Sequence, residues 1–393
     1  MTKIIIVGAG IGGITSAIAC HRRGLEVVLL EQASALKEVG AGIQISPNAV
    51  KVLKKLNLLD DVATRAFRPV SIEARMGESG RPIFDIPLAN QSETRWGAPY
   101  FHIHRAHYIE ALAANLPPGV LKLGSKIQSY ETLETGIRVI LEGGSHIEGD
   151  ILIGADGIKS IIRETMLGPE KARFTGNVAW RAVVPMDRLG RNAPRHTACA
   201  WFGKGRHAVT YCLGADASLA NFVGVVERTD WQEEGWSVKG DKADALEDFA
   251  GWHPTITSLI EEAETLNKWA LFDRDPLPKW TDGPVVLLGD AAHPMLPFLA
   301  QGAAMAVEDA WVLAEELAKV QSPRGLQAYQ AKRLARTAKV QAASRANMQT
   351  FHKRTVPEQL ATYGPMWLAG RMVPSIVHRR MDWLYGHDVT AAD

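Results

Sequence analysis

Hydrophobic positions follow two rhythms along this chain, one at each end of a long strand-rich stretch. Ile4-Ile5-Ile6-Val7 is a short apolar run of buried-strand type, followed by Gly8-Ala9-Gly10-Ile11-Gly12-Gly13 and a helix-length segment to residue 23. Gly24 stands where a helix C-terminal glycine belongs, and a second strand is predicted from Glu26 to Leu30, ending at Glu31. Ser46-Pro47 predicts another helix start, with Ser as cap and Pro at the first position. Val50, Leu53 and Leu56 share one face of that helix, which leaves Lys51, Lys54 and Lys55 for solvent. Arg105 opens a further helix, His107 to Leu116, and residues 68–88 and 120–154 alternate apolar and polar positions as strands do.

From about Phe174 to Phe272 strand-like runs dominate without regular helical crossovers, as in Val178-Ala179-Trp180-Arg181-Ala182-Val183-Val184. Parallel α/β logic resumes at Val285-Val286-Leu287-Leu288, which leads into Gly289-Asp290, and long helices run to about residue 354. The pattern predicts an α/β domain in two parts, 1–173 and 276–355. Residues 174–275 form an inserted sheet-rich domain, and 356–393 a docked helical cap of apolar, aromatic and arginine residues.

Composition narrows the function classes. A net charge of +1 on 393 residues gives no reason to expect nucleic acid or an anionic membrane as partner. Three cysteines, Cys20, Cys199 and Cys212, form no metal spacing and no disulfide framework, and no His/Glu or cysteine cluster supports a metal site. A reducing cytoplasm is the simplest compartment. The uncharged run Ile4 to Cys20 loosely resembles a lipoprotein leader, but its glycines and strand pattern fit a strand–turn–helix unit better, and no other segment nears transmembrane length. The eleven tryptophans, Trp180, Trp201, Trp231 and Trp236 among them, are expected in core or interface.

The glycine turn carries the first chemistry. Gly8 permits a tight turn, Gly10 lets backbone approach a pyrophosphate, and Gly13 allows close helix–sheet packing. The helix start offers free N–H groups to phosphate, and Glu31, 18 residues beyond Gly13, suits an unphosphorylated adenosine ribose. This motif alone leaves NAD and FAD both open. Ile151-Leu152-Ile153-Gly154-Ala155-Asp156-Gly157, with Ser160 and Arg163, repeats the strand-to-helix design, as does Gly289-Asp290-Ala291-Ala292-His293-Pro294. Two such turns far apart suggest a flavin held at both poles.

In this order the three motifs resemble the single-component FAD-dependent aromatic hydroxylases, over residues 3 to about 340. The resemblance implies a para-hydroxybenzoate-hydroxylase-like α/β fold. It implies Glu31 on the adenosine ribose, Asp290 on the ribityl chain, and Asp156-Gly157 near the pyrophosphate with a role in NAD(P)H use. Gly42 and Arg105 are candidates for further FAD contacts. It also implies that O2 is activated at the flavin C4a and that one oxygen atom enters an electron-rich ring. NADH or NADPH would bind transiently, since no second GxGxxG is present. Gln301-Gly302-Ala303 opens a helix whose N–H groups suit the charge of a reduced flavin. Glu308, Asp309 and His293 are expected to position that helix and its loop.

Ala300-Gln301-Gly302-Ala303 with Gly205-Arg206-His207 and Tyr211 resembles a narrower group. It includes 3-hydroxybenzoate 6-hydroxylases, 6-hydroxynicotinate 3-monooxygenases and salicylate hydroxylases, and a homodimer is common there. Residues 207 and 211 share a face of a strand. His207 is the candidate proton acceptor, Tyr211 the ligand of a ring oxygen or carboxylate, and Gln301 a hydrogen-bond partner from the flavin side. Gln44, in Gly40-Ala41-Gly42-Ile43-Gln44, Met295 and Phe298 are candidate pocket walls. Three rival readings stay open: a flavin monooxygenase or epoxidase for a non-carboxylate such as a purine, a flavin-binding protein without turnover, and an NAD dehydrogenase using the first motif alone.

Overall fold

The computed structural model describes residues 2–36, 42–170, 172–228 and 238–391; Gly40, Ala41, Trp231 and Trp236 lie outside them. The chain begins with β1 (Lys3–Val7), α1 (Ile11–His21) and β2 (Glu26–Leu30), then β3 (Gly42–Ile45), α2 (Pro47–Lys55) and α3 (Leu59–Ala63). A hairpin of β4 (Ser71–Met76) and β5 (Pro82–Pro87) precedes α4 (Ala89–Trp96), β6 (Phe101–His104) and α5 (Arg105–Ala113). Short strands β7 (Leu121–Lys122), β8 (Ile127–Thr132), β9 (Ile137–Leu141) and β10 (His146–Gly149) lead to β11 (Ile151–Gly154) and α6 (Ile161–Leu167). Next come β12 (Arg173–Pro185), β13 (Ala198–Gly203), β14 (Arg206–Leu213), β15 (Leu219–Glu227), α7 (Lys242–Asp248), α8 (Pro254–Glu261) and β16 (Asn267–Asp273). The chain then returns through β17 (Thr281–Asp282) and β18 (Val285–Leu287) to α9 (Gly302–Lys319), α10 (Pro323–Phe351), α11 (Val356–Met372), α12 (Pro374–Arg379) and α13 (Asp382–Tyr385).

Two sheets carry the architecture. The first has order β17-β18-β11-β1-β2-β7, with β1 parallel to both β2 and β11, and β18 parallel to β11. Its central strands are apolar on both faces because helices cover them on both sides, and Ile4, Ile5 and Ile6 have no exposed surface. The second has order β16-β12-β15-β14-β13-β4-β5, antiparallel except where β13 meets β4. This sheet is not confined to residues 174–275, because β4 and β5 complete it from residues 71–87. Period-two alternation identifies a strand but carries no information on which sheet it joins. Trp180 and Trp201 are buried in the core that α8 shares with this sheet.

Local chemistry moved three boundaries or contacts from their expected places. α1 stops at His21, and Gly24 turns the chain at φ +77°. The helix after Arg105 begins at Arg105 itself and ends at Ala113. Lys51 is half-buried: its ammonium donates to the carbonyls of Gly386 (2.9 Å) and His387 (3.1 Å), tying α2 to the C-terminal segment. That segment is further held by the paired hydrogen bonds of Arg95 to Asp382 (2.7 and 2.6 Å) and by Tyr385 edge-on to Trp96. Among the described residues no helix is long and apolar enough to cross a membrane.

Candidate active site

The loops at the carboxyl ends of β1, β2, β11 and β18 converge, as ligand crevices of open α/β sheets require. Gly8 has φ +99°, and a Cβ there would stand 2.5 Å from the Ala155 carbonyl oxygen. At Gly13 a Cβ would collide with the Gly8 carbonyl, so α1 packs down on the turn only with glycine. Beside Gly10 the space is open to 4 Å. Glu31 braces the turn by accepting from the N–H of Ala9 (2.8 Å) and of Ala33 (2.9 Å). Arg163 joins the other two loops, donating to the carbonyls of Ala291 (3.0 Å) and Ile158 (2.5 Å).

Asp156 stands beside the Gly8 turn but outside the cavity lining. Its carboxylate accepts from Ser160 Oγ (2.6 Å) and Ile162 N (3.2 Å), which spends it on the first turn of α6, while Gly157 reaches the cavity. Burial pushes its pKa up against those hydrogen bonds.

Above the loops lies a cavity of about 830 Å³. Its lower part is lined by Gly10, Arg105, Gly157, Asp290, Gly302 and Ala303. Gly42, Gln44, His207, Tyr211, Met295 and Phe298 line the same cavity. The predicted cofactor and substrate residues thus meet in one space, apart from Gly8, Gly13, Glu31 and Asp156, which shape its walls from behind. Gly42 N donates to Asn221 Oδ1 (2.9 Å), and Gln44 Oε1 accepts from the Tyr100 hydroxyl (2.6 Å).

On β14, His207, Val209 and Tyr211 all face the cavity, so the outer two stand about 13 Å apart with Val209 between them. Burial drives the His207 pKa well below the usual imidazole range, with the His352 ring adding to the effect. Tyr211 is pushed up to about 12 by burial and stays a neutral donor. Two strands away, across Val223 from Val209, is a residue not singled out from the sequence, Arg181 on β12. Its guanidinium lies 5.2 Å from the Trp269 ring centroid and lines the cavity. Its Nε has no hydrogen-bond partner, and no salt bridge among the described residues reaches it. Burial lowers its pKa, yet arginine stays charged, so this half-buried guanidinium meets no anion among the described residues. The only sequence signal was one charge in an apolar strand.

Gln301 also differs from expectation. Its Nε2 donates to Ser46 Oγ (2.9 Å) and its Oε1 accepts from Asn48 Nδ2 (3.1 Å), so the amide is turned toward α2. Ser46 holds the N-cap position of α2, but its side chain does not cap the helix; its hydroxyl donates to Asn48 Oδ1 (2.6 Å). Asn48 in turn donates to Glu308 (2.7 Å), which pairs with Arg333 (2.6 Å) and Arg336 (2.7 Å). Asp309 takes Arg333 (2.7 Å), His293 Nε2 (2.5 Å) and the Gly289 N–H (3.2 Å). This buried network fixes the start of α9 against the Gly-Asp loop.

The residues fit FAD. The first turn of α9 has no side-chain cap, which leaves its N–H groups for a ligand, and alanines 303 and 306 keep the helix face low. No hydrogen bond among the described residues reaches the Asp290 carboxylate, which faces the cavity and whose pKa is raised by burial; ribityl hydroxyls are donors of the kind it needs. Asp290→Ala is expected to loosen FAD at least about tenfold, the worth of a hydrogen bond to a charged group. Flavin fluorescence after dialysis measures it, and retention equal to wild type would remove that contact.

The comparisons agree. A model described as FAD binding domain matches residues 1–344. The 3-amino-4-hydroxybenzoate 2-monooxygenase PtmB3 of Streptomyces platensis is 36% identical, covering 98% of this chain and 96% of the relative. The 6-hydroxynicotinate 3-monooxygenase of Bordetella bronchiseptica is 35% identical, covering 99% and 96%. Among solved structures, Klebsiella pneumoniae HpxO complexed with FAD and uric acid superimposes with a TM-score of 0.87 at 27% identity, covering 98% of this chain and 97% of the other. End-to-end relatives at this identity, on a site shaped for the same cofactor, establish that the chain belongs to the FAD binding domain family, as an FAD-dependent aromatic-ring monooxygenase.

Proposed function

We propose that this chain hydroxylates a small benzene or pyridine carboxylate that also bears a ring hydroxyl, using NAD(P)H and O2. The observation that supports this reading is Arg181, a half-buried cation without an anionic partner among the described residues, in the same cavity as Tyr211 and His207. A carboxylate placed between Arg181 and Tyr211 satisfies that charge, and directs the far side of the ring toward His207. Two of the relatives are named for ring acids that carry a hydroxyl.

When bound, FAD supplies reduction by NAD(P)H and activation of O2. The protein's share is positional. Phe298, Met295 and Val209 give an apolar lining that excludes water. His207 Nε2, which has no partner among the described residues, takes the phenolic proton, and the resulting oxyanion enriches the ring carbons ortho and para to it. Gln301 acts at one remove by holding α9 in place. The three free, buried cysteines fit a reducing, cytoplasmic setting.

His207→Ala is expected to keep FAD and still consume NADH, while most reducing equivalents leave as hydrogen peroxide. Peroxide yield per NADH, with 3-hydroxybenzoate, salicylate and 6-hydroxynicotinate each tried as substrate, tests it. Coupling equal to wild type would take His207 out of the reaction.

A further inference from the structure

His207 does not stand alone in the wall. Its Nδ1 lies 2.7 Å from Nε2 of His352, and Nδ1 of His352 lies 3.0 Å from Oε1 of Glu227. The backbone fixes each member. His207 is opposite Val225 in the β14–β15 ladder, Glu227 closes β15 with its N–H on the Gly205 carbonyl (2.9 Å), and His352 follows α10 with its N–H on Met348. The chain also runs outward. His207 is 1% exposed and His352 6% exposed, whereas the Glu227 side chain is 28% exposed and meets Arg354, whose side chain is 72% exposed. Phe298 and Phe351 stand edge-on to the His207 ring at 5.1 Å each, so no water-filled route is needed beside it.

We propose that His207, His352 and Glu227 form a proton wire that carries the substrate's phenolic proton from the closed cavity to solvent, a proposal that rests on His207 being the base of the reaction above. The hydrogen-bond order assigns the resting tautomers: His207 donates from Nδ1 to His352 Nε2, and His352 donates from Nδ1 to the Glu227 carboxylate. The phenolic O–H bond breaks as an N–H bond forms at His207 Nε2. The proton on His207 Nδ1 passes to His352 Nε2, that on His352 Nδ1 passes to Glu227, and the Glu227 carboxyl releases one to water. One proton enters, one leaves, and no group holds a net charge in the apolar wall for longer than the transfer. The reverse movement protonates the product oxyanion for release and resets both rings.

The wire answers a difficulty that a single base would face. Burial lowers the pKa of both imidazoles; the His352 ring adds to the lowering at His207, and at His352 burial wins over the opposing pull of Glu227, with Arg354 adding to the lowering. An imidazole so placed takes a proton readily only if it hands one on.

The test uses oxidised, FAD-loaded enzyme without NAD(P)H, with 4-hydroxy-3-nitrobenzoate as the probe, whose ionisation is visible. A stopped-flow pH jump follows appearance of the bound nitrophenolate. His352→Gln and Glu227→Gln keep the hydrogen-bonding shapes but break the wire, and each is expected to slow ionisation at least about tenfold. The dissociation constant of the probe should stay within about twofold of wild type. Wild-type ionisation rates in both variants, while His207→Ala is slowed, would overturn the wire and leave the base in place. A weakened dissociation constant with an unchanged rate in His352→Gln would also overturn it, by making His352 a packing residue. Wild-type ionisation in His207→Ala would overturn base and wire together.

Discussion

Arg181→Met is expected to weaken binding of a ring carboxylate by about 30- to 150-fold, the equivalent of about 2–3 kcal/mol for a charge-assisted, desolvated pair. FAD should stay bound, because Arg181 stands on β12 of the second sheet, whereas Asp290 and Gly302 belong to the loop after β18 and the start of α9. Methionine fills similar volume and stacks on Trp269, so the packing loss is small beside the charge loss. The measurement is flavin difference titration with 3-hydroxybenzoate and with its carboxamide. Wild type should prefer the acid strongly, and the variant should treat the two nearly alike. A variant that keeps the preference for the acid would move the carboxylate elsewhere in the cavity.

The largest stability effect is expected at Arg333. It is 1% exposed and is the shared partner of Glu308 and Asp309, both without exposed surface. Arg333→Met strands carboxylates inside the protein, which costs about 3–5 kcal/mol when a buried pair loses one member. Arg336 on Glu308 and His293 on Asp309 remain and set the lower end of that range. The same network makes a pH statement. Burial alone would raise both carboxyls, but Arg333 with Arg336 brings Glu308 down to about 2, and His293 with Arg333 brings Asp309 down to about 2. Folded values below the unfolded ones, 4.5 and 3.8, mean stability that is present at neutral pH and is lost as pH falls from about 5 toward 2. Urea unfolding at pH 7 and pH 3 should show a steep acid loss in wild type and a flatter one in Arg333→Met. Equal slopes would mean that the arginine does not hold the carboxylates ionised.

The sequence announced the cofactor side far better than the substrate side, for a physical reason. Phosphate-binding turns depend on backbone, so their residues must be glycines at short, fixed spacing, and Gly8, Gly10 and Gly13 were readable as such. Asp290, after its own strand, was readable by the same logic. Arg181 reaches the cavity through the ladder of the second sheet, and Glu227, His352 and His207 come together through that ladder and the return of α10, across 125 and 145 residues of chain. No local spacing marks such a set. Gln301 was found, but its hydrogen bonds to Ser46 and Asn48 were not, because a sequence does not say which way an amide points. The β4–β5 hairpin was seen as strands, but its sheet was set by a parallel contact with β13 more than a hundred residues later.

The central claim, that one oxygen atom enters a hydroxylated ring acid held in this cavity, is tested most directly by turnover under 18O2. FAD-loaded protein with NADH or NADPH is given salicylate, 3-hydroxybenzoate, 6-hydroxynicotinate and, as the counter-case, uric acid, and products are read by mass spectrometry. At least one ring acid is expected to yield a product that has gained one labelled oxygen. Peroxide alone from every ring acid, with labelled oxygen appearing only in the uric acid product, would contradict the account.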